Sequence, residues 1–283
     1  MESLSLEAFA ERFREAEQLP ARQLFCMYDT CLAYLLATCD SFFELPGALL
    51  ACTSDKKVTI FPLGLPVQYI DACERMLASG YTLCAVPEVL AGTLKKRGKV
   101  TVTDDGAGAD LVMPVEVLQK PSAKSRYYLR QMQERALTVE GLPACAAQMV
   151  AQWEKESTER GNPPIAGDLP RLVSRFPVLA AEAGARAYHL TADGEVVGFS
   201  ISAPVGQFAW AILARIGKRG VFNRLDLRLI LDAYYSAFST KLYLTDGAAA
   251  GPADPLYQHK TNLGFLPQKS RAFYVYAKTK SHG

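Results

Sequence analysis

Leu4, Leu6, Phe9, Ala10 and Phe13 recur at the three-to-four spacing of one helix face, and Pro20 separates this helix from a second apolar stretch at 24–39, LFCMYDTCLAYLLATC. That stretch is sixteen residues long and interrupted by Asp29, too short to span a bilayer, so it is expected to be a buried helix. From Leu45 the pattern changes to short apolar runs, ALLACT and KKVTIFPLG, rich in β-branched residues and bounded by Gly, Pro and Asp, which predict paired strands. A helix is expected at 66–79, then strands at YTLCAVP and KVTVTDD around the helix EVLAGTLKKRG, with a further strand in DLVMPVEVL.

The segment KPSAKSRYYLRQMQER, from Lys120 to Arg135, reads as a helix after Pro121 carrying Lys124, Arg126, Arg130 and Arg135 among aromatics. It marks the passage between two halves, 1–136 and 137–283. The second half opens with a short strand, LTVEGLP, and a helix, ACAAQMVAQWEKESTER. The Gly/Pro-rich loop GNPPIAGD and one helix at 168–183 follow. RAYHLT and EVVGFSISAPV then flank Ala192-Asp193-Gly194, an Asp-Gly turn between alternating apolar runs that predicts a β-hairpin. QFAWAILARI gives a third strand, and apolar positions in FNRLDLRLILDAYYSAF give a long helix with Asn223 at its start. A strand (TKLYLT), a loop (DGAAAGPAD), a short helix (PLYQHKTNLGF) and a last strand (RAFYVYAK) complete an α/β chain with mixed sheets.

Composition narrows the function classes. The chain has 283 residues, 49% of them hydrophobic, and a net charge of +2, so an anionic partner has to be recognised by local patches rather than by a basic surface. Seven cysteines, all before residue 146 and none in a Cys-x-x-Cys pair, fit a reducing compartment. With three histidines and none near a cysteine pair, no metal site is expected. MESLSLEAFAERF has no basic start or small-residue cleavage site, so a cytoplasmic protein without a secretory signal is expected.

Two clusters carry candidate chemistry. Arg215-Ile-Gly217-Lys218-Arg219-Gly220, followed by the long helix, offers backbone N–H groups, a helix N-terminus and several cations on one spot, which is either an anion site or a strand-to-helix turn with solvated basic residues. Asp246-Gly247 closes a strand, and Tyr257, His259, Lys260 and Asn262 lie on the short helix beyond it. Tyr257 and Lys260 share a helix face, whereas His259 points about 100° away from its neighbours and is expected at the surface. On residue type alone Tyr257 reads as an aromatic packed in the core.

The order helix, hairpin, strand, glycine-containing turn, helix, strand, helix, strand over 168–278 resembles the GCN5-related N-acetyltransferase superfamily, with DGEVVGF at the hairpin, RIGKRG before the long helix and LGFLP after the short one. In that superfamily the turn reads Arg or Gln, two residues, Gly, one residue, Gly or Ala, and cradles the pyrophosphate of coenzyme A; here the first glycine comes one residue early. The whole chain resembles the tandem-domain branch that includes the soluble domain of phosphatidylglycerol lysyltransferases and the Fem-type transferases, on the strength of KSRYYLRQMQER and the ending DG, loop, HKTNLGFLP.

The resemblance implies two acetyltransferase-like domains in tandem, with the active site in the second. It implies an aminoacyl-tRNA donor, with acyl-CoA as the alternative, and no tightly bound cofactor. Lys260 and Asp246 match the branch's lysine and acid near the donor, and Tyr257 stands where acetyltransferases place a tyrosine that protonates the leaving group. Lys124, Arg126, Arg130, Lys269 and Arg271 would contact RNA phosphates. The acceptor would be a soluble amine of a peptide, amino acid or metabolite. A non-catalytic binding module is the alternative of another class.

Overall fold

The computed structural model describes residues 1–17, 31–98, 100–104, 109–120, 123, 126–127, 130, 137–159, 168–192, 194–206, 208–216, 231, 236–249, 251–269 and 272–277. The contacts divide the chain into two compact units, one made of residues 1–108 and 269–283 and the other of 109–268. The boundary expected at 136/137 falls inside the second unit. The reason lies in strand pairing, which is long-range.

The first unit contains strands β1 (Glu2–Leu4), β2 (Ser41–Leu45), β3 (Ala48–Cys52), β4 (Lys57–Pro62), β5 (Thr82–Pro87), β6 (Val100–Asp104) and β14 (Ala272–Ala277). Its helices are α1 (Leu6–Glu17), α2 (Leu32–Thr38), α3 (Ile70–Ala78) and α4 (Glu88–Lys96). The sheet order is β1-β2-β3-β4-β5-β14-β6, with β4 and β5 parallel. Phe9, Ala10 and Phe13, expected on one helix face, are fully buried on α1. Within the apolar stretch at 24–39 the described helix is α2, six of whose seven residues are buried. Pro46-Gly47 turns β2 into β3 with Gly47 at φ 81°, a conformation that glycine adopts without strain. Leu50, Val58, Ile60, Leu83, Leu90 and Val275 form the core between this sheet and α3 and α4.

The second unit contains β7 (Ala109–Pro114), β8 (Leu137–Glu140), β9 (Arg186–Ala192), β10 (Glu195–Val205), β11 (Phe208–Ile216), β12 (Tyr243–Ala249) and β13 (Leu266–Lys269). Its helices are α5 (Val115–Gln119), α6 (Ala146–Glu159), α7 (Asp168–Ser174), α8 (Phe176–Ala183) and α9 (Pro255–Leu263). Read from β8, the sheet order is β8-β9-β10-β11-β12-β7-β13. This is the order of the first sheet, element for element, so the chain holds a structural repeat that its residues do not display. Each sheet has as its sixth strand one that lies far in sequence from its fifth: β14 in the first sheet and β7 in the second.

The predicted hairpin is present as β9 and β10, paired antiparallel from Glu195↔Ala192 to Ser202↔Arg186. Two expectations change. DLVMPVEVL is a strand only as far as Pro114, which is the extended N-cap of α5, and then turns into that helix, which buries Val115 and Leu118. The single helix expected at 168–183 is two, since Arg175 takes the N-cap position of α8 ahead of Pro177. Of the long helix expected from Asn223, Leu231, Ser236 and Ala237 are described and helical.

Candidate functional site

The site begins where two strands part. β11 and β12 run parallel and pair through Phe208↔Tyr243, Ala209↔Leu244 and Trp210↔Thr245. β11 then continues to Ile216 and β12 to Ala249. On its other edge β11 stays paired with β10 as far as Gly198↔Ile216, so it is the β12 edge that opens, from Ala211 on one strand and Asp246 on the other. A parallel pair that separates inside a sheet presents backbone donors and acceptors that a ligand with amide or carbonyl groups can engage.

Two β-bulges flank the opening. In β11 the register passes from Leu213↔Ile201 to Ala211↔Ser202, which leaves Ile212 as the extra residue. In β12, Asp246 and Gly247 together face the one residue Leu111 of β7. Bulges break the ladder locally and re-aim backbone and side chains, and they recur beside active sites. The Leu111 carbonyl at the bulge accepts a hydrogen bond from Thr245 Oγ1 at 3.2 Å. Asp246, the acid among the sequence candidates, thus stands at the first position beyond the part of β12 that pairs with β11.

The helix beyond the loop carries the remaining candidates. Pro255 starts α9, Asp254 accepts from the Gln258 N–H at 3.1 Å, and Thr261 Oγ1 donates to the Tyr257 carbonyl at 3.0 Å. The helix ends at Gly264, which has φ 107°, and the Phe265 N–H returns to the Lys260 carbonyl at 3.1 Å. A Cβ at Gly264 would lie 2.7 Å from Val117 Cγ1, so the missing side chain lets the helix end close down on α5. α9 packs against β7 and β12. Tyr257 and Leu263 sit half-buried against Leu111, Met113, Leu244 and Phe265.

Lys260 shares the Tyr257 face, as the spacing predicted, and is 4% exposed. It is the one charged side chain in the buried set among the described residues. A lysine is seldom buried without a compensating partner, because its ammonium loses hydration, and Lys260 does interact with a partner within the protein. A buried ammonium on the helix that covers the Asp246 strand has the chemistry to hold a phosphate or a developing oxyanion. His259 is half-buried rather than on the surface.

The first unit has the same framework without this chemistry. β4 and β5 pair over three positions, Lys57↔Thr82 to Thr59↔Cys84, and then part. The corresponding bulge of β5 against β14 falls on Cys84 and Ala85, facing Tyr274. The β3/β4 ladder runs from Ala48↔Pro62 to Cys52↔Val58 without a shift. The turn after β4 uses its own donors: Leu63 and Gly64 N–H go to the Gly47 carbonyl at 2.8 and 3.0 Å, and the Leu65 N–H goes to Gln68 Oε1 at 3.0 Å. Gln68 lies so close over Gly47 and Gly64 that a Cβ at either would collide with its amide. No anion can use donors that are already committed.

Among the other sequence candidates, Arg215 stands on β11 opposite Phe199, while Gly217, Lys218, Arg219 and Gly220 lie outside the described residues. Arg126 and Arg130 are helical and exposed, Lys269 ends β13, and Lys124 and Arg271 lie outside the described residues. The two bulges carry no sequence signal beyond Gly247. Ser202, at the β10/β11 bulge, carries no sequence signal either; its hydroxyl is buried with no hydrogen-bond partner.

No family model and no curated protein matches the chain. Solved structures do. The structure of L-PGS from Bacillus licheniformis superposes with a TM-score of 0.59 at 12% identity, over 88% of this chain and 87% of that one. A tandem GNAT protein from the clavulanic acid biosynthesis pathway gives 0.59 at 13% identity, covering 99% and 98%. FemX gives 0.57 at 9% identity, covering 98% of both. The chain therefore has the tandem acetyltransferase-like α/β fold of GNAT-type transferases, and at these identities the likeness is one of fold. Among the described residues no helix is long and apolar enough to cross a membrane.

Proposed function

We propose that the protein is an acyltransferase working from its second unit, with aminoacyl-tRNA as donor and an amine of a soluble peptide, amino acid or metabolite as acceptor. The observation that carries this reading is the buried Lys260 on α9, against the strand that bulges at Asp246 where β11 and β12 part. The equivalent place in the first unit holds Cys84 and Ala85 and a turn occupied by Gln68.

In this reaction the acceptor nitrogen attacks the ester carbonyl of the donor. The new C–N bond forms, the C–O bond to the terminal ribose breaks, the amine gives up a proton and the ribose hydroxyl takes one. Lys260 stabilises the oxyanion, Tyr257 protonates the leaving oxygen and Asp246 receives the amine proton. The turn Arg215–Gly220 holds a donor phosphate, and Lys124, Arg126, Arg130, Lys269 and Arg271 contact RNA phosphates. The donor is a co-substrate, and no tightly bound cofactor or metal takes part in this scheme.

Acyl-CoA at the same opening is the second reading, supported by the β11 bulge and by the fold shared with a tandem GNAT protein. Offering the purified protein labelled aminoacyl-tRNAs and acetyl-CoA in parallel, with a mixture of amines, separates the two. Transfer from aminoacyl-tRNA that falls at least about a hundredfold in Lys260→Ala is the expected result. Saturable CoA binding without tRNA binding would replace the donor. A folded protein that transfers from neither is a binding module.

A further inference from the structure

We infer that β6 is the edge through which two copies of this chain associate, pairing antiparallel with β6 of a second copy about a twofold axis at Val102. A strand at the end of a sheet leaves a row of backbone N–H and C=O groups unpaired, and proteins usually blunt such edges.

The four outermost strands of the two sheets differ in this respect. β1 is only three residues long. β8 has four residues and is interrupted by a bulge at Val139. β13 has four residues and contains Pro267. β6 has none of these devices: it is Val-Thr-Val-Thr-Asp, and its ladder to β14 runs from Ala277↔Val100 to Phe273↔Asp104 without a shift. Among the described residues no strand pairs with its outer edge. Val100 and Val102 pack into the core, while Thr101 and Tyr276, the residue opposite it on β14, are exposed.

Charge selects the occupant. In the sequence Lys95, Lys96, Arg97 and Lys99 precede the strand, and Asp104, Asp105 and Asp110 close and follow it. No acid occurs from Val89 to Thr103 and no cation from Val100 to Gln119. Arg97 is engaged with Asp71 and Glu74 at 2.8 and 3.3 Å, so the lysines carry the excess positive charge. Lys99 and Asp105 stand three residues before and after Val102. A strand with cations at one end and acids at the other repels a parallel copy of itself and attracts an antiparallel one. The pairing keeps Val100 and Val102 on the core face of both copies, so even-numbered residues oppose even-numbered ones. Centred on Val102, it sets that valine against its own counterpart and Thr101 against Thr103, a favourable cross-strand pair. A wholly acidic or wholly basic strand would meet like charge at one end of β6.

The test uses the full-length protein, with sedimentation velocity over a concentration series and circular dichroism of each variant. The parent should be dimeric at about 50 μM. Asp105→Lys and Lys99→Asp should each weaken the dimer about tenfold, because each sets like charges together at both ends of the paired strands. Mixed in equal amounts, the two variants should associate like the parent, since each supplies the charge that the other lacks. Hydrogen exchange of the β6 amides should slow as the parent is concentrated. A monomeric parent, a dimer that neither variant weakens, or folded variants that stay apart when mixed overturns the inference. Should either variant fail to fold, the exchange measurement on the parent decides, and β6 exchange that is independent of concentration sinks the pairing.

Discussion

Thr245 donates its hydroxyl to the carbonyl of Leu111 across 3.2 Å, at the step where the β12/β7 ladder slips. The bond ties down the strand one residue before Asp246 and so fixes where the bulge begins. Thr245→Val keeps the shape and removes the bond, which should cost about 1 kcal/mol in urea denaturation. Transfer should fall further than stability does, because the strand is then free to shift its register. A fully active variant would detach the bond from the site.

Gly264→Ala should destabilise the second unit by about 2 kcal/mol or more, since φ 107° is unfavourable for alanine and the new methyl meets Val117. Adding Val117→Ala should return part of that loss by relieving the collision. A double-mutant cycle on thermal unfolding reads the coupling, and strictly additive losses would assign the whole cost to the backbone.

Ser200 and Ser202 lie on one face of β10 and are both fully buried, but they differ in what they bond. Ser200 Oγ donates to the Leu213 carbonyl at 2.6 Å, whereas Ser202 Oγ has no partner. Ser200→Ala should cost about 1 kcal/mol, and Ser202→Ala should be neutral or stabilising by about the same amount. Denaturant midpoints at constant m would show the contrast; equal losses would mean that Ser202 has a partner in solution.

Burial pushes the Cys52 and Cys73 thiols from 9.0 up to about 12. The unfolded chain releases these protons near pH 9 while the folded first unit keeps them, so folding stability falls as pH rises from 9 toward 12. The slope is about 1.4 kcal/mol per pH unit for each thiol. Below pH 9 the two thiols leave stability unchanged. Unfolding midpoints at pH 7 and 10 should therefore differ less in Cys52→Ala/Cys73→Ala than in the parent.

Local chemistry was legible in the sequence, and long-range pairing was not. The β9/β10 hairpin follows from alternation around an Asp-Gly turn, and the shared face of Tyr257 and Lys260 follows from their spacing. The strand reading of Val115 and Val117 failed because β-branched residues favour extended chain, while Pro114 and the burial of Val115 and Leu118 outweigh that preference. The burial of Lys260 could not be foreseen, since it depends on how α9 packs against β7 and β12, which are distant in the chain. The bulges at Ile212 and at Asp246-Gly247 come from mismatched ladders between strands distant in the chain, and only Gly247 hints at either. The repeat is likewise a matter of pairing, since it lies in the shared strand order of the two sheets.

The late arrival of β14 between β5 and β6 bears on how the protein is made. β6 ends at Asp104 and β14 begins at Ala272, so the first sheet waits for about 170 residues of synthesis with its sixth place empty. At roughly 5 to 20 residues per second that is on the order of ten to thirty seconds on the ribosome. During that time the open edge of β5 is a template for any passing strand. A chaperone that shelters that edge, or slow elongation through the second unit, should govern the yield of folded protein more than any property of the finished molecule.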